Sequence, residues 1–490
     1  MADADAVLSY AVRGRVVGKY LGQLGLMLAT LTLAPLAVSV LAGETRLTWR
    51  YAVLIVALAA VGTPLARLRP PERIREAEAL AVVALAFVGA SLLMTWPFTA
   101  AGLPFADALF EAVSGVTTTG LSTLADPAAH PRTFRFARAW MQWYGGLGIA
   151  VLSVALLMGH QAAARRLVDT SGGEALAAAT RTHARRMLKV YLVLTALGIA
   201  ALLLAGAEPY TAVLHVLAAV STGGFSPLAD SLAGFPSAAP RVVVTALSFL
   251  GAVSLPLYWA AFHPAPGEAR TGRRVLGDPE LKTLAVLTAA VAALLAIAFR
   301  LQGGMAWGEA LFHGLHMGVS AQTTTGFATL PVAGLPTAAL AVMIVAMTAG
   351  GSVGSTAGGV KLLRVLILGA VVRAALRSAT APPHAVVAPR LGGRPLEPGD
   401  AARALALIAL FGAVVLTSWL PFLAAGYPPL DSLFEVVSAT GTVGLSTGIT
   451  SHALAPHLKA VLMADMLLGR VEIVALLVLF YPRTWFGRRG

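Results

Sequence analysis

Apolar residues fill this chain in long runs rather than in the short rhythm of a soluble helix or strand. The runs lie near 20–43, 50–66, 75–97, 137–159, 186–206, 240–262, 280–300, 334–376, 403–424 and 458–481. A helix needs roughly 20 apolar residues to cross a hydrocarbon core of about 30 Å, so the pattern predicts ten membrane spans. Four further apolar stretches, near 104–117, 209–221, 306–322 and 429–440, are too short to cross. Thirteen helical residues reach only about 20 Å, so these predict re-entrant half-helices. Irregular backbone at membrane depth survives only where protein or a water-filled cavity shields it, and four such segments imply a shared aqueous axis.

Composition agrees with that pattern. Of 490 residues, 57% are hydrophobic and 12% charged, about half the charged fraction of a soluble domain. The first apolar run, opening near Tyr20, is too long for a signal-peptide core and reads as a retained helix. The net charge is +13, which in a soluble protein would suggest nucleic acid. Placing both termini in the cytoplasm puts the basic loops 67–75, 160–189, 263–282 and 373–403 on the inner side. The charge is therefore read as the positive-inside rule, with no nucleic-acid partner. Clusters such as Arg67, Arg69, Arg73 and Arg75, or Arg165, Arg166, Arg181, Arg185 and Arg186, can also touch anionic membrane lipids. Cysteine is absent, which removes disulfides, thiolate metal sites and cysteine nucleophiles.

Each short stretch ends in one pattern, Thr-x-Gly-(Leu/Phe)-(Ser/Ala). The copies are Thr118-Thr119-Gly120-Leu121-Ser122, Thr222-Gly223-Gly224-Phe225-Ser226, Thr324-Thr325-Gly326-Phe327-Ala328 and Thr442-Val443-Gly444-Leu445-Ser446. One copy alone would read as small residues capping a packed helix. Four copies at matched topological positions read as an internal repeat. The predicted fold is an all-α membrane protein with four pseudo-symmetric span–half-helix–filter–span repeats around one pore, plus two extra N-terminal spans. The expected divisions are 1–70 for the leading helices, 71–160 and 161–263 for repeats 1 and 2, 264–380 for repeat 3, and 381–490 for repeat 4. A dehydrated cation needs oxygens in place of water, and backbone carbonyls with threonine hydroxyls supply them. Glycine permits the left-handed angles that turn carbonyls toward one axis, as in the Thr-Val-Gly-Tyr-Gly loops of potassium channels. Each half-helix would also aim its negative C-terminal dipole at the cavity below. The second copy, with its extra Gly223, is expected to be the floppiest strand.

These residues resemble the TrkH/KtrB superfamily of potassium transporters, and its TrkH branch through the two leading spans. The stretches that carry the resemblance are 110–120 (Phe-Glu-Ala-Val-Ser-Gly-Val-Thr-Thr-Thr-Gly), 143–149 (Trp-Tyr-Gly-Gly-Leu-Gly-Ile), 322–327 (Gln-Thr-Thr-Thr-Gly-Phe), 354–361 (Gly-Ser-Thr-Ala-Gly-Gly-Val-Lys) and 469–472 (Gly-Arg-Val-Glu). The resemblance implies that Gly120, Gly224, Gly326 and Gly444 set potassium preference, and that K+ is the transported ion bound at the filter. It further implies a bacterial inner-membrane pore that works as a homodimer, regulated by a cytosolic TrkA-like ring that binds nucleotide. A sodium-permeable or ion-coupled symporter of the same superfamily is the alternative.

The eighth span is interrupted by Gly350-Gly351-Ser352-Val353-Gly354-Ser355-Thr356-Ala357-Gly358-Gly359. Five glycines in ten residues cost an isolated helix about 5 kcal/mol against alanine, so the stretch is expected to be a loop lining the cavity. The resemblance makes it the gate, with Gly350, Gly351, Gly354, Ser355, Thr356, Gly358 and Gly359 its working residues. Arg470 falls in the last apolar run, where a mid-membrane arginine costs at least about 2.5 kcal/mol. Its candidate partners are Glu472, Asp465 and the loop carbonyls; the resemblance implies a cation that repels potassium until the loop moves. Glu111 and Glu435 are read as opening half-helices 1 and 4, where a carboxylate suits the dipole. His313 and His316, three apart on the third half-helix, read as packing rather than as metal ligands. No phosphate-binding Gly-x-x-x-x-Gly-Lys-(Ser/Thr) loop and no catalytic constellation appears in the sequence, so the chain is not read as an enzyme.

Overall fold

A computed structural model describes residues 11–69, 74–165, 173–263, 275–382, 384, 387–471 and 473–486. The basic residues Arg73 and Arg166, and Glu472 among the candidate partners of Arg470, lie outside them. Helices occupy all ten places where the hydrophobic pattern puts a span, and all four places where it puts a half-helix. Among the described residues, six helices are long and apolar enough to cross a membrane, and Ala238–Gly251 with Leu255–Phe262 makes a seventh candidate bent by 90°. Many of their large side chains point outward: Leu33, Val56, Leu197, Leu294, Leu416 and Leu420 are all exposed, as suits a surface solvated by lipid tails.

The leading pair, Gly14–Leu41 and Thr45–Ala66, packs antiparallel through glycine. A Cβ on Gly22 would sit 2.6 Å from the Ala66 nitrogen, and one on Gly62 would sit 3.0 Å from the Gly22 carbonyl. The pair joins the first repeat through a core of Leu47, Tyr51, Phe98 and Phe134. A second core gathers around Trp143, Tyr191 and Leu214. A third, around Phe299, Met317, Phe422 and Phe434, serves the last two repeats together.

The half-helices Phe105–Val116, Pro209–Val220, Trp307–Gln322 and Pro429–Thr440 are short because their ends are dictated. Three of them begin at a proline, at the N-cap or the first turn, where the missing N–H costs nothing. The last turns of all four are buried.

The long helix after the first half-helix, Arg132–Arg165, runs unbroken, whereas the spans that follow the other three half-helices are interrupted. The interruption between Thr337–Thr348 and Leu362–Thr380 is the one the glycine-rich stretch predicts. The other two depart from the continuous spans expected near 240–262 and 458–481. One bends at 252–254, between Ala238–Gly251 and Leu255–Phe262; the other stops at Arg470 and resumes at Ile473. The bend has a local cause, because Pro256 sits in the first turn of the second segment and has no N–H to bond the Ala252 carbonyl and continue the first segment.

Candidate ion pathway

Every copy of the repeated motif leaves its half-helix in the same way. Thr118 N–H donates to the Gly115 carbonyl at 3.1 Å and Thr119 N–H to the Ser114 carbonyl at 3.0 Å. The pairs Thr222 and Gly223 (3.0 and 2.7 Å), Thr324 and Thr325 (3.3 and 2.9 Å), and Thr442 and Val443 (3.0 and 2.8 Å) repeat it. This is the helix stop that normally places glycine in the left-handed region. Here threonine takes that place, at φ 53°, 50°, 54° and 51° in the four copies. A β-branched residue there is strained by about 1–3 kcal/mol, a cost carried four times. Two residues on, Gly120, Gly224, Gly326 and Gly444 are left-handed again, at φ 86°, 77°, 89° and 95°, while the residue between is not. Alternating handedness turns successive carbonyls to the same side of a strand, the arrangement a dehydrated cation needs.

The four strands meet in a ring. A Cβ on Gly120 would collide with the Gly223 carbonyl, one on Gly224 with that of Thr325, one on Gly326 with that of Val443, and one on Gly444 with that of Thr119. The contacts therefore run from copy one to two, three, four and back to one. Leu121, Phe225, Phe327 and Leu445 are all buried beside the ring.

The extra glycine of the second copy does not loosen its strand. Gly223 is small because the Gln142 side chain lies against it: a Cβ there would sit 2.6 Å from Gln142 Oε1. Gln142 Nε2 donates to the Gly223 carbonyl at 2.5 Å, and its Oε1 accepts from Phe225 N–H at 3.1 Å. The strand is held on both sides of Gly224 by one side chain from the neighbouring long helix.

Glu111 and Glu435 also differ from expectation. Each sits well inside its half-helix rather than at the opening turn, and its carboxylate reaches forward to the residues after the filter glycine. Glu111 Oε1 accepts from Ser122 Oγ and Thr123 N–H, both at 2.8 Å, while Oε2 pairs with buried Arg138 at 2.8 Å. The Arg138 guanidinium also lies 3.8 Å from the centre of the Phe225 ring. Glu435 Oε1 accepts from Ser446 Oγ at 2.6 Å and Thr447 N–H at 2.8 Å, and Oε2 from Thr450 at 2.7 Å.

The glycine-rich stretch lies directly against the filter threonines, outside any helix. Gly358 N–H donates to Thr324 Oγ1 at 2.7 Å, and Thr222 Oγ1 meets Thr356 Oγ1 at 3.3 Å. A Cβ on Gly358 would run into Thr442 Oγ1 and the Gly441 carbonyl. The hydroxyls of Thr118 and Thr442 are buried without a hydrogen-bond partner. Thus two of the four equivalent hydroxyls hydrogen-bond the loop and a third, that of Thr442, packs against it.

Backbone bonds hold the loop in place. Gly350 N–H bonds the Val360 carbonyl at 3.0 Å and Val360 N–H the Thr348 carbonyl at 2.9 Å, closing its neck. Ser355 donates through Oγ to the Ser352 carbonyl at 2.6 Å, and Leu362 N–H reaches the Gly351 carbonyl at 3.1 Å. Gly354 and Gly359 turn through φ 74° and 65°. The bend at 252–254 receives the loop: Thr356 N–H and Oγ1 both reach the Gly251 carbonyl, Ser352 N–H the Ala252 carbonyl, and Leu255 N–H returns a bond to Gly354. Glu280 accepts from Val353 N–H at 2.7 Å.

Arg470 is buried and donates through Nη1 to the Thr356 carbonyl at 2.8 Å, while its Nε and Nη2 have no hydrogen-bond partner among the described residues. Of its two described candidate partners, the loop carbonyl is the one engaged; Asp465 instead takes Ser418 Oγ at 2.6 Å. Lys361 donates to the Ala357 carbonyl. A small cavity of about 40 Å³ adjoins the loop, with Lys361, Arg364, Phe411 and Arg470 among its walls. His313 Nδ1 lies 3.0 Å from Thr329 Oγ1, and His316 Nδ1 lies 2.5 Å from Thr245 Oγ1.

A ring of four glycine-turned strands at the ends of re-entrant helices, in a chain of apolar spans, defines a membrane cation-transport protein. The family model for the TrkH cation transport proteins matches residues 54–485. The chain belongs to the TrkH family. It is similar to the Trk system potassium uptake protein TrkH of Halomonas elongata, at 29% identity over 96% of this chain and 99% of that protein. An uncharacterized cation transporter of Methanocaldococcus jannaschii is 28% identical, over 94% of each chain. The crystal structure of the potassium transporter TrkH from Vibrio parahaemolyticus superposes with a TM-score of 0.84 at 25% identity, covering 97% of this chain and all of that one.

Proposed function

We propose that this multi-pass membrane protein is a potassium uptake pore, in which the four strands at Gly120, Gly224, Gly326 and Gly444 form a carbonyl filter and the 350–359 loop is its gate. The ring of glycine-to-carbonyl approaches carries the reading, and relatives named as Trk potassium uptake proteins give its cargo. Potassium sheds water against carbonyls of Thr119, Gly223, Thr325 and Val443 and hydroxyls of Thr118, Thr222, Thr324 and Thr442. In the conformation described, the loop takes up the hydroxyls of Thr222 and Thr324, so passage through the innermost layer requires it to withdraw. Arg470 reinforces closure in two ways. Its Nη1 pins the Thr356 carbonyl, and its charge, in a low-dielectric surround, repels a cation waiting in the filter.

The four repeats, with divisions at 71–160, 161–263, 264–380 and 381–490 after the leading pair 1–70, are part of the same reading. So are a bacterial inner-membrane setting with both termini cytoplasmic, assembly as a homodimer, and regulation by a TrkA-like nucleotide-binding ring. The test is flux from liposomes holding the purified protein, with potassium, rubidium, sodium and lithium supplied in turn. Potassium and rubidium should pass well ahead of sodium and lithium. Equal rates for sodium and potassium would contradict the filter.

A further inference from the structure

The residue nine positions before each filter glycine is Glu111, His215, Met317 or Glu435, and all four are fully buried. Each accepts a hydrogen bond from one or both of the residues two and three positions after its own filter glycine, and the acceptor matches what the strand offers. In copies one and four the strand presents both a serine hydroxyl and a backbone N–H, and a carboxylate takes both. In copy two the N–H is missing because residue 227 is proline, leaving only Ser226 Oγ. There the acceptor is His215 Nε2 at 3.1 Å, while Nδ1 is 2.9 Å from the Thr211 carbonyl, which fixes the tautomer with Nδ1 as donor. In copy three the hydroxyl is missing because residue 328 is alanine, leaving only Thr329 N–H. There the acceptor is the weak thioether sulfur of Met317, at 3.4 Å.

We infer that Glu111, His215, Met317 and Glu435 are positioning residues for ion selection, each holding the outer end of one filter strand at the height its carbonyls require. Donor count and acceptor strength agree in all four copies, which packing alone does not demand. This inference rests on the filter reading above, and it ranks the copies: the first and fourth strands are held by carboxylates, the second by one imidazole nitrogen, the third by a sulfur.

Copy two gives the cleanest test, because a single hydroxyl meets a single acceptor. His215→Met replaces the imidazole acceptor of half-buried Ser226 Oγ with a weak thioether, a loss that should cut the potassium-over-sodium flux ratio about fivefold in liposomes. His215→Met with Ser226→Ala removes both the imidazole acceptor and the hydroxyl it served, and should return the ratio to within about twofold of the parent. If His215→Met fails to fold, recovery of folded protein in the double variant supports the same pairing. Equal impairment of the single and double variants, or a single variant that selects as well as the parent, overturns the inference. Gly120→Ser, measured alongside, separates the two readings: no loss of selectivity there would reject the filter itself, whatever the copy-two variants do.

Discussion

The filter strands and the 350–359 loop are both irregular, glycine-rich backbone at membrane depth, yet they are held by different means. Each filter strand is anchored largely by side chains, from its own half-helix or from Gln142. The loop is anchored by backbone bonds to its own neck and to the neighbouring bend near 252–254, together with side chains such as Glu280, Thr324 and Arg470. Side-chain anchors tie a strand to its own half-helix or, through Gln142, to the preceding long helix. Backbone bonds to a neighbouring element can be exchanged together when that element moves. The difference teaches that glycine content by itself does not distinguish a rigid site from a movable one; the surroundings decide. Under the proposed function it gives the two regions separate duties, one selecting and the other closing.

Substitutions in the ring should break the comparison on the selective side. Gly120→Ser places a side chain on a left-handed residue and against the Gly223 carbonyl. Strain of about 1–2 kcal/mol adds to the collision, and the potassium-over-sodium flux ratio should fall by about tenfold or more. Gly444→Ser, against the Thr119 carbonyl, should do the same. The measurement is relative ion flux in reconstituted protein.

Threonines sharpen it, because equivalent hydroxyls differ in whether the loop uses them. Thr324→Val removes the acceptor of Gly358 N–H. A hydrogen bond worth about 1 kcal/mol would then no longer favour closure, and resting potassium flux should rise about fivefold. Thr118 Oγ1 has no hydrogen-bond partner, so Thr118→Val should leave the loop's closure unchanged. Because the chain has no cysteine, one placed at Ser355 reports loop exposure directly: its thiol modification should quicken with Thr324→Val and not with Thr118→Val.

The smallest effect expected is on stability. A Cβ on Gly251 would stand 2.7 Å from the Val220 carbonyl, so Gly251→Ala should destabilise the folded protein by about 1–3 kcal/mol. Thermal unfolding in detergent checks this, with resting flux as a second readout because Gly251 also receives Thr356.

Much of this architecture was legible from the sequence, for a physical reason: lipid-facing spans must be apolar along their length, and each filter copy must end on the same few residues. The half-helix Pro429–Thr440 matches its expected limits residue for residue. The bend at 252–254 was hidden because both halves are apolar; Pro256, just after Ser254, was the available signal. The role of Glu111 and Glu435 was misread because a carboxylate near the start of a short helix fits the dipole equally well. Their true partners lie eleven and twelve residues later, and only aligning all four copies on the filter glycine brings out His215 and Met317 as their equivalents. The left-handed threonines had no signal in residue type, since β-branched residues avoid that region. The strain is imposed by the helix stop and the ring together.

Arg470→Ala tests the division between selecting and closing most directly. Arg470 touches the loop through Thr356 and touches none of the four glycines or their carbonyl partners. Potassium and sodium flux should be measured in liposomes from the same preparation, for the parent and for this variant. Loss of a buried charge beside the pathway should raise resting potassium flux about tenfold, with the potassium-over-sodium ratio held within about twofold. A folded variant that conducts like the parent would remove Arg470 from the gate. A variant whose ratio collapses would show that loop and filter act as one element, and would contradict their separate duties.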